Sequence, residues 1–220
     1  MPVHFYRELD HLKKRILVLG TLVEENLQRA IGSLETWNEA LLDQIKKVDE
    51  EIDDMEVGVE EECLKILALY QPVAVDLRFI VAVLKINNDL ERVGDLAVNI
   101  GERSASLGAE ERRNIPPRFH HMVEKVQAML RDSLTALIQQ NADLARSICE
   151  DDREVDAINQ EMFAYAKQEI QKRPQDIDSL LRLSAISKHL ERVADLATNI
   201  AEDLIYFTEG EIVRHYASGN

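Results

Sequence analysis

Four segments of the sequence carry two acidic side chains separated by three other residues. These acid pairs are Asp49 with Asp53, Glu91 with Asp95, Asp152 with Asp156, and Glu191 with Asp195. Residues four apart share one face of an α-helix, so each pair would set two like charges side by side at a cost of roughly 0.2–0.5 kcal/mol. A multivalent cation bound by both carboxylates would remove that repulsion. The spacing therefore makes these eight acids candidate metal ligands.

The ligand type narrows the choice of metal. Carboxylate oxygens suit hard cations such as Mg, Ca, Mn or ferric iron, and the two cysteines, Cys63 and Cys149, form no pattern typical of a zinc site. The alternative is that the acids lie on solvated helix faces, with Arg92 and Arg192 as salt-bridge partners. Weaker candidates lie one or two turns further along the same stripe: Asn99, Asn199, Glu102 and Glu202.

The hydrophobic pattern predicts that helices carry these acids. Apolar residues recur at intervals of three and four, as in Ile16, Leu19, Val23 and Leu27, and no sustained period of two appears. All five prolines lie at the ends of such segments, where proline would interrupt a helical hydrogen-bond ladder. We predict an all-α protein with N-caps at Asn38 and Asn141 and six helices, at about 4–35, 38–70, 73–105, 118–139, 142–172 and 176–208.

An internal repeat divides these helices into two halves. Residues 90–102 match residues 190–202 at ten of thirteen positions, at an offset of 100. The second helix of each half also aligns, so the chain is a tandem duplication of three helices. Short turns make consecutive helices antiparallel, which predicts two up-down-up three-helix bundles. We place the first bundle at 1–107, a linker at 108–117 and the second bundle at 118–220.

The acid pairs are mirrored about the predicted turns. In the first half, the pairs lie at equal distances from the turn at Pro72, and in the second half they lie at equal distances from the turn at Arg173 and Pro174. Each pair is thus level with its partner pair, about 30 Å from the turn at 1.5 Å per residue. If the helix faces turn toward one another, four carboxylates converge in each bundle. This predicts one metal site per bundle.

The composition excludes several classes of function. The chain has 41 acidic against 26 basic residues and a net charge of −15, which argues against duplex nucleic acid and against a basic membrane-binding face. It contains no apolar stretch long enough to span a membrane, no secretory leader, no glycine-rich phosphate loop and no Gly-x-Ser-x-Gly motif. The sequence therefore favours a cytoplasmic protein that is not an enzyme, and no motif in it supports direct phosphate sensing.

Three segments resemble the PhoU family. They are residues 71–78, the Leu-Glu-Arg-Val-x-Asp motifs that end at Asp95 and Asp195, and the tail at 206–215. The resemblance covers essentially the whole chain, in the order of the family. It implies two three-helix bundles and a cytoplasmic negative regulator, which represses phosphate-starvation genes when phosphate is plentiful.

The same resemblance implies partners and cofactors. The protein would bridge the phosphate-specific ABC transporter, at its ATPase subunit, and a sensor histidine kinase, and it would form a homodimer without inserting into the membrane. The acid-x-x-x-Asp motifs would bind clusters of divalent or trivalent metal ions, with Mg, Mn, Fe, Ca and Zn all open. The family often has histidine where Leu96 and Leu196 stand, and the position before the motif is Asp89 in one half and His189 in the other.

Two other classes of protein share some of these features. A ferritin-like di-metal oxidase also places carboxylates on helices, but it needs a Glu-x-x-His motif on two helices, and this chain has one match, Glu8 with His11. A helical scaffold without a ligand would explain the apolar periodicity. It gives no reason for the mirrored acid pairs.

Overall fold

The computed structural model describes residues 3–36, 38–108, 112 and 114–210. Across these residues the chain is helical and contains no β-strand, which confirms the all-α prediction. A single 3-10 turn at Pro174–Asp176 precedes the last helix. The six helices are α1 (Val3–Gly32), α2 (Glu39–Tyr70), α3 (Ala74–Ala105), α4 (Pro117–Gln139), α5 (Ala142–Lys172) and α6 (Ile177–Glu209).

The helix ends follow local hydrogen bonding. The Asn38 side chain accepts a hydrogen bond from the backbone of Ala40, and the Asn141 side chain accepts one from Leu144, so both predicted N-caps are present. The first helix ends at Gly32 rather than 35, because the backbone N–H groups of Leu34 and Glu35 bond three residues back in a tighter turn. The predicted turn at Trp37 and tail residues 211–215 lie outside the described residues.

Each half is a three-helix bundle, as the repeat predicts. Helices α1, α2 and α3 pack together, and so do α4, α5 and α6. Their apolar faces meet in one continuous core that is mostly aliphatic. The predicted domain boundaries around 108–117 stay a prediction, since residues 109–111 and 113 are not described.

The two bundles meet along a seam between α3 and α6, which run antiparallel. Each contact joins an early residue of one helix to a late residue of the other. The seam's midpoint therefore lies near Gly94 and Ala194, which are equivalent in the repeat, and the halves are related by an approximate twofold axis there. The contacts are the Phe79 and Phe207 rings at 5.4 Å, Lys85 Nζ to Asp203 Oδ1 at 3.1 Å, and Arg103 Nε to His189 Nε2 at 2.8 Å.

Two further features concern the cysteines and the hydropathy of the helices. Cys63 is buried and Cys149 is half-buried, and both are free thiols. Burial raises the pKa of the Cys63 thiol to about 12 and that of Cys149 to about 11, with nearby carboxylates adding to the effect. Among the helices that the structure describes, none combines the length and the apolar content that a membrane span requires.

Candidate metal centres

The first acid cluster comprises Asp49 and Asp53 on α2 with Glu91 and Asp95 on α3. Burial, followed by the charges of Asp53, Asp95 and Glu91, raises the pKa of Asp49 from 3.8 to about 6. Burial and Asp95 likewise raise the pKa of both Asp53 and Glu91. Like charges shift one another only when they are close together. The mirrored spacing thus does bring all four carboxylates of the first half into one neighbourhood.

The second acid cluster comprises Asp152 and Asp156 on α5 with Glu191 and Asp195 on α6. Burial, followed by the charges of Asp195, Asp156 and Glu191, raises the pKa of Asp152 to about 6. Burial, Glu191 and Asp156 raise the pKa of Asp195 to about 6. The pKa of Asp156 is raised by burial and by Glu191. Burial and neighbouring acids therefore raise the pKa of the equivalent residues Asp49 and Asp152, whereas Lys188 lowers the pKa of Asp156 and Asp195 in the second half only.

In each cluster, one aspartate oxygen lacks a hydrogen-bond partner. Asp49 Oδ1 and Asp152 Oδ1 are buried atoms that accept no hydrogen bond from any described residue. The two residues occupy equivalent positions of the repeat. An acceptor that is buried and unsatisfied costs about 1–3 kcal/mol, and more when it is charged. A bound cation would satisfy both oxygens.

Gly94 lets α2 approach α3 closely at the first acid cluster. A Cβ atom added there would lie 2.9 Å from Asp49 Oδ1 and 3.3 Å from Ile52 Cδ1. The missing side chain thus makes room for the carboxylate of Asp49 itself. The second half has Ala194 at the equivalent position, so this space is specific to the first half in sequence.

The second acid cluster also holds a cation of its own. Lys188 Nζ lies 2.6 Å from Glu191 Oε1, whereas the equivalent position in the first half is Asn88. No described lysine pairs with an acid of the first cluster.

Among the described residues, Arg92 lies 3.6 Å from Asp89, outside the cluster, and Arg192 forms no ion pair. The charge of Arg92 nevertheless lowers the pKa of Glu91, and that of Arg192 lowers the pKa of Asp195, against the larger rise from burial and the neighbouring acids. The arginines therefore offset part of the repulsion without pairing directly with the acids.

The clusters contain oxygen donors of the kind that a hard cation prefers, but their side chains are not arranged as a complete coordination shell. Among the described residues, no three or more Asp, Glu, His or Cys side chains are placed so that they could hold one metal ion. The donor type, the mutual repulsion and the unsatisfied oxygens nevertheless suit such an ion. The acids would close around it by turning their side chains. The predicted metal sites stay a prediction.

The four weaker candidate ligands named in the sequence analysis have different environments. Glu102 pairs with Lys46 at 2.6 Å, and the Asn99 amide donates to the backbone oxygen of Asp95 at 2.8 Å. Glu202 lies close enough to Asp152 to add to the rise of its pKa. Asn199 lies away from these contacts, in the groove described below.

The Glu-x-x-His match at the N-terminus is engaged in ion pairs. Lys65 pairs with Glu8 at 3.3 Å, and His11 Nδ1 lies 2.7 Å from a carboxylate oxygen of Glu62. These contacts lie between α1 and α2, on the opposite side of Gly58 from the first acid cluster along α2. They give the oxidase alternative no second metal-binding helix.

A groove along the seam joins the two halves, and sequence reasoning did not find it. We call it the central groove; its volume is about 750 Å³. The repeat showed that its residues are equivalent, but nothing in the sequence indicated that α3 packs against α6. Its lining residues are Arg92, Asp95, Leu96, Asn99, Arg192, Asp195, Leu196, Thr198 and Asn199.

Comparison with known proteins gives one consistent answer. The PhoU domain matches residues 16–104 and 119–204. A PhoU homolog of Aquifex aeolicus, named as a phosphate-specific transport system accessory protein, is 38% identical over 210 residues, which cover 96% of this chain and 95% of that protein. A Pseudomonas putida protein of the same name is 36% identical and covers 96% of this chain and 83% of its own length.

Solved structures agree with the sequence relatives. The crystal structure of PhoU from Pseudomonas aeruginosa has a TM-score of 0.85 at 32% identity, over 94% of this chain and 100% of that chain. The phosphate transport system regulatory protein PhoU from Streptococcus pneumoniae has a TM-score of 0.84 at 31% identity, over 95% and 99%. The similarity therefore spans both bundles and the seam between them.

Proposed function

The chain belongs to the PhoU family, and on that basis we propose that it is an accessory regulator of phosphate transport, which represses phosphate-starvation genes while phosphate is plentiful. The observation that carries the proposal is that both halves match the PhoU domain within one chain. Relatives that match over nearly their whole length bear names from the phosphate-specific transport system. The proposal therefore concerns the whole chain rather than a shared module.

Regulation proceeds by contact rather than by catalysis. In this proposal the protein sits in the cytoplasm and bridges the ATPase subunit of the phosphate ABC transporter and a sensor histidine kinase, as a homodimer. The words "accessory" and "regulatory" in the names of its relatives support a role without chemistry. The net charge of −15 favours protein partners over nucleic acid, because an acidic chain cannot replace phosphate counterions.

The two acid clusters bind metal ions in this proposal. The raised pKa values of Asp49, Asp152 and Asp195, and the unsatisfied oxygens of the first two, support it. A bound cation supplies positive charge that cancels the repulsion among the carboxylates. The chain's own side chains do the rest. Because each cluster draws acids from two helices, closing around a cation ties α2 to α3 and α5 to α6.

Deleting the gene tests the regulatory proposal. In a strain with no second gene of this family, the deletion is expected to switch on a phosphate-responsive reporter at high phosphate, and the wild-type chain supplied in trans should restore repression. Repression that persists in the deletion strain would contradict the proposal.

Metal analysis tests the acid clusters. Replacing Glu91 and Asp95 together by Ala should lower the Mn²⁺ retained after desalting by about half, since one of two clusters is lost, and should leave the far-UV circular dichroism unchanged. The control replaces Asp43 and Glu51 together by Ala, because both are exposed acids on α2 that lie outside the acid cluster. Equal Mn²⁺ in both double variants would place the metal elsewhere.

A further inference from the structure

The central groove holds two cationic side chains whose donors are largely unused. Arg92 and Arg192 occupy equivalent positions of the repeat and line the groove from its two sides. Arg192 forms no hydrogen bond or ion pair with any described residue, and the nearest carboxylate to Arg92 is Asp89 at 3.6 Å. A guanidinium presents a planar fork of N–H donors that matches two oxygens of an oxyanion. The groove can therefore offer two such forks at once.

A threonine in the groove is also left without a partner. The hydroxyl oxygen of Thr198 is buried and makes no hydrogen bond in the described structure. The other helical threonines, Thr21, Thr135 and Thr208, each donate to the carbonyl four residues earlier. Thr198 departs from that pattern at the point where it lines the groove. Because its oxygen is shielded from solvent, the Thr198 side chain would have to rotate to turn this hydroxyl toward a ligand in the groove.

Two leucines also line the groove. Leu96 is 8% exposed and Leu196 is 3% exposed, so both are packed against the core. Donors from two sides and a hydroxyl suit a tetrahedral oxyanion, which has acceptors in several directions, better than a planar carboxylate.

Two carboxylates in the same groove oppose an anion. Asp95 and Asp195 line it together with the arginines, and they belong to the two acid clusters. Without a cation, their charges offset those of Arg92 and Arg192. One divalent cation on each cluster would cancel half of the charge of the eight acids, so an anion between the arginines would meet less repulsion. The groove's affinity for an anion therefore depends on the state of the clusters.

We infer that the central groove binds a phosphate-type oxyanion between Arg92 and Arg192 when the acid clusters carry cations. This inference rests on the metal binding in the proposed function. Because coupling between two sites is reciprocal, the anion must strengthen cation binding by the same factor. Inorganic phosphate and diphosphate both fit a volume of about 750 Å³ and share the chemistry that the donors recognise.

Calorimetry on the full chain tests the inference. Inorganic phosphate, diphosphate and sulfate are titrated in turn into protein loaded with Mn²⁺ and desalted, and into protein treated with chelator. We expect phosphate or diphosphate to bind the loaded protein at least ~10-fold more tightly than the chelated protein, within the usual range of coupling between sites. The tighter of the two identifies the ligand. Sulfate binding as tightly as both would show a general anion site and overturn the inference.

Variants separate the groove from the acid clusters. The double variant Arg92→Gln with Arg192→Gln should lose at least ~10-fold in anion affinity, through the loss of both charged donors, while its Mn²⁺ content stays at the wild-type level. Thr198→Val should show a smaller loss in the same direction. Arg153→Gln is the matched control, since Arg153 is an exposed arginine on α5 that does not line the groove.

The outcomes distinguish a failure of anion binding in the groove from a failure of metal binding at the acid clusters. Wild-type protein that holds Mn²⁺ but binds none of the three anions overturns the groove and leaves the metal proposal standing. The double arginine variant binding anions as the wild type does, with its Mn²⁺ intact, also overturns the groove. Wild-type protein that retains no Mn²⁺ overturns both, and its regulatory role would still be judged by the gene deletion.

Discussion

Replacing Asp49 by Asn is expected to stabilise the metal-free protein. Burial and the charges of Asp53, Asp95 and Glu91 raise the pKa of Asp49 from 3.8 to about 6. Each pKa unit corresponds to about 1.36 kcal/mol, so the ionised form is disfavoured by at most about 3 kcal/mol at neutral pH. Because Asp49 is only half-buried, solvent screening reduces this to about 1–2 kcal/mol. For a chain of this size, the melting temperature should rise by about 2–8 °C.

The pH dependence fixes the sign of the effect. The folded pKa of Asp49 lies above its unfolded value, so between pH 4 and about 6 the folded state binds more protons than the unfolded state. The destabilisation is therefore fully present above about pH 7 and disappears as the pH falls toward 4. The gap between wild type and Asp49→Asn should close over that same window.

Bound metal should make the wild type more stable than Asp49→Asn, the reverse of the order in chelator. In Mn²⁺ the wild type gains stability from the bound ion, at about 1.4 kcal/mol for each tenfold excess over Kd, whereas the variant has lost a carboxylate ligand. The assay is thermal unfolding followed by circular dichroism, in chelator and in Mn²⁺. Glu51→Gln serves as the control, because Glu51 is an exposed acid on the same helix. A melting temperature in chelator that is unchanged, or that rises no more than in Glu51→Gln, would refute the reasoning.

Two further substitutions probe contacts that belong to one half only. Lys188→Asn should raise the Mn²⁺ affinity of the second acid cluster several-fold, because the ammonium of Lys188 no longer competes with the ion for Glu191. Unchanged affinity in a metal titration would mean that Lys188 and Mn²⁺ do not compete. Lys85→Met should lower the free energy of unfolding by about 1–3 kcal/mol in a urea titration, because it removes the cation from Asp203, which is 2% exposed, while Lys85 itself is partly solvated. A stability equal to that of the wild type would show that the pair contributes nothing to the seam.

Local features of the fold were predictable because short-range physics decides them. The asparagine caps, the prolines at helix ends and the apolar periodicity each act within a few residues, and they placed the six helices within about three residues of their observed ends. The predicted end of α1 is three residues too late because the chain tightens into a turn after Gly32. The apolar pattern continues through that turn to Leu34. Periodicity reports burial, and Leu34 is buried although the α-helix has ended.

The neighbourhood of the acids was predictable for a different reason. Two antiparallel helices joined by a short turn leave only one level at which mirrored residues can meet, so Asp49 and Asp95 had to lie near each other. The sequence could not show that Lys188 enters the second acid cluster, because the equivalent Asn88 breaks the repeat there. Nor could it show the seam, whose Lys85–Asp203 contact joins residues far apart in the chain.

The contacts across the seam are not symmetric, and this affects how a partner protein can bind. Two identical subunits related by a true dyad would make every interface contact twice. This chain makes the Lys85–Asp203 pair once, and the related positions hold Ala185 and Arg103. Because the two copies are parts of one polypeptide, related positions can hold different residues, so the two halves present chemically distinct surfaces. A partner protein can therefore bind this molecule in one orientation and not in the orientation related by the twofold axis.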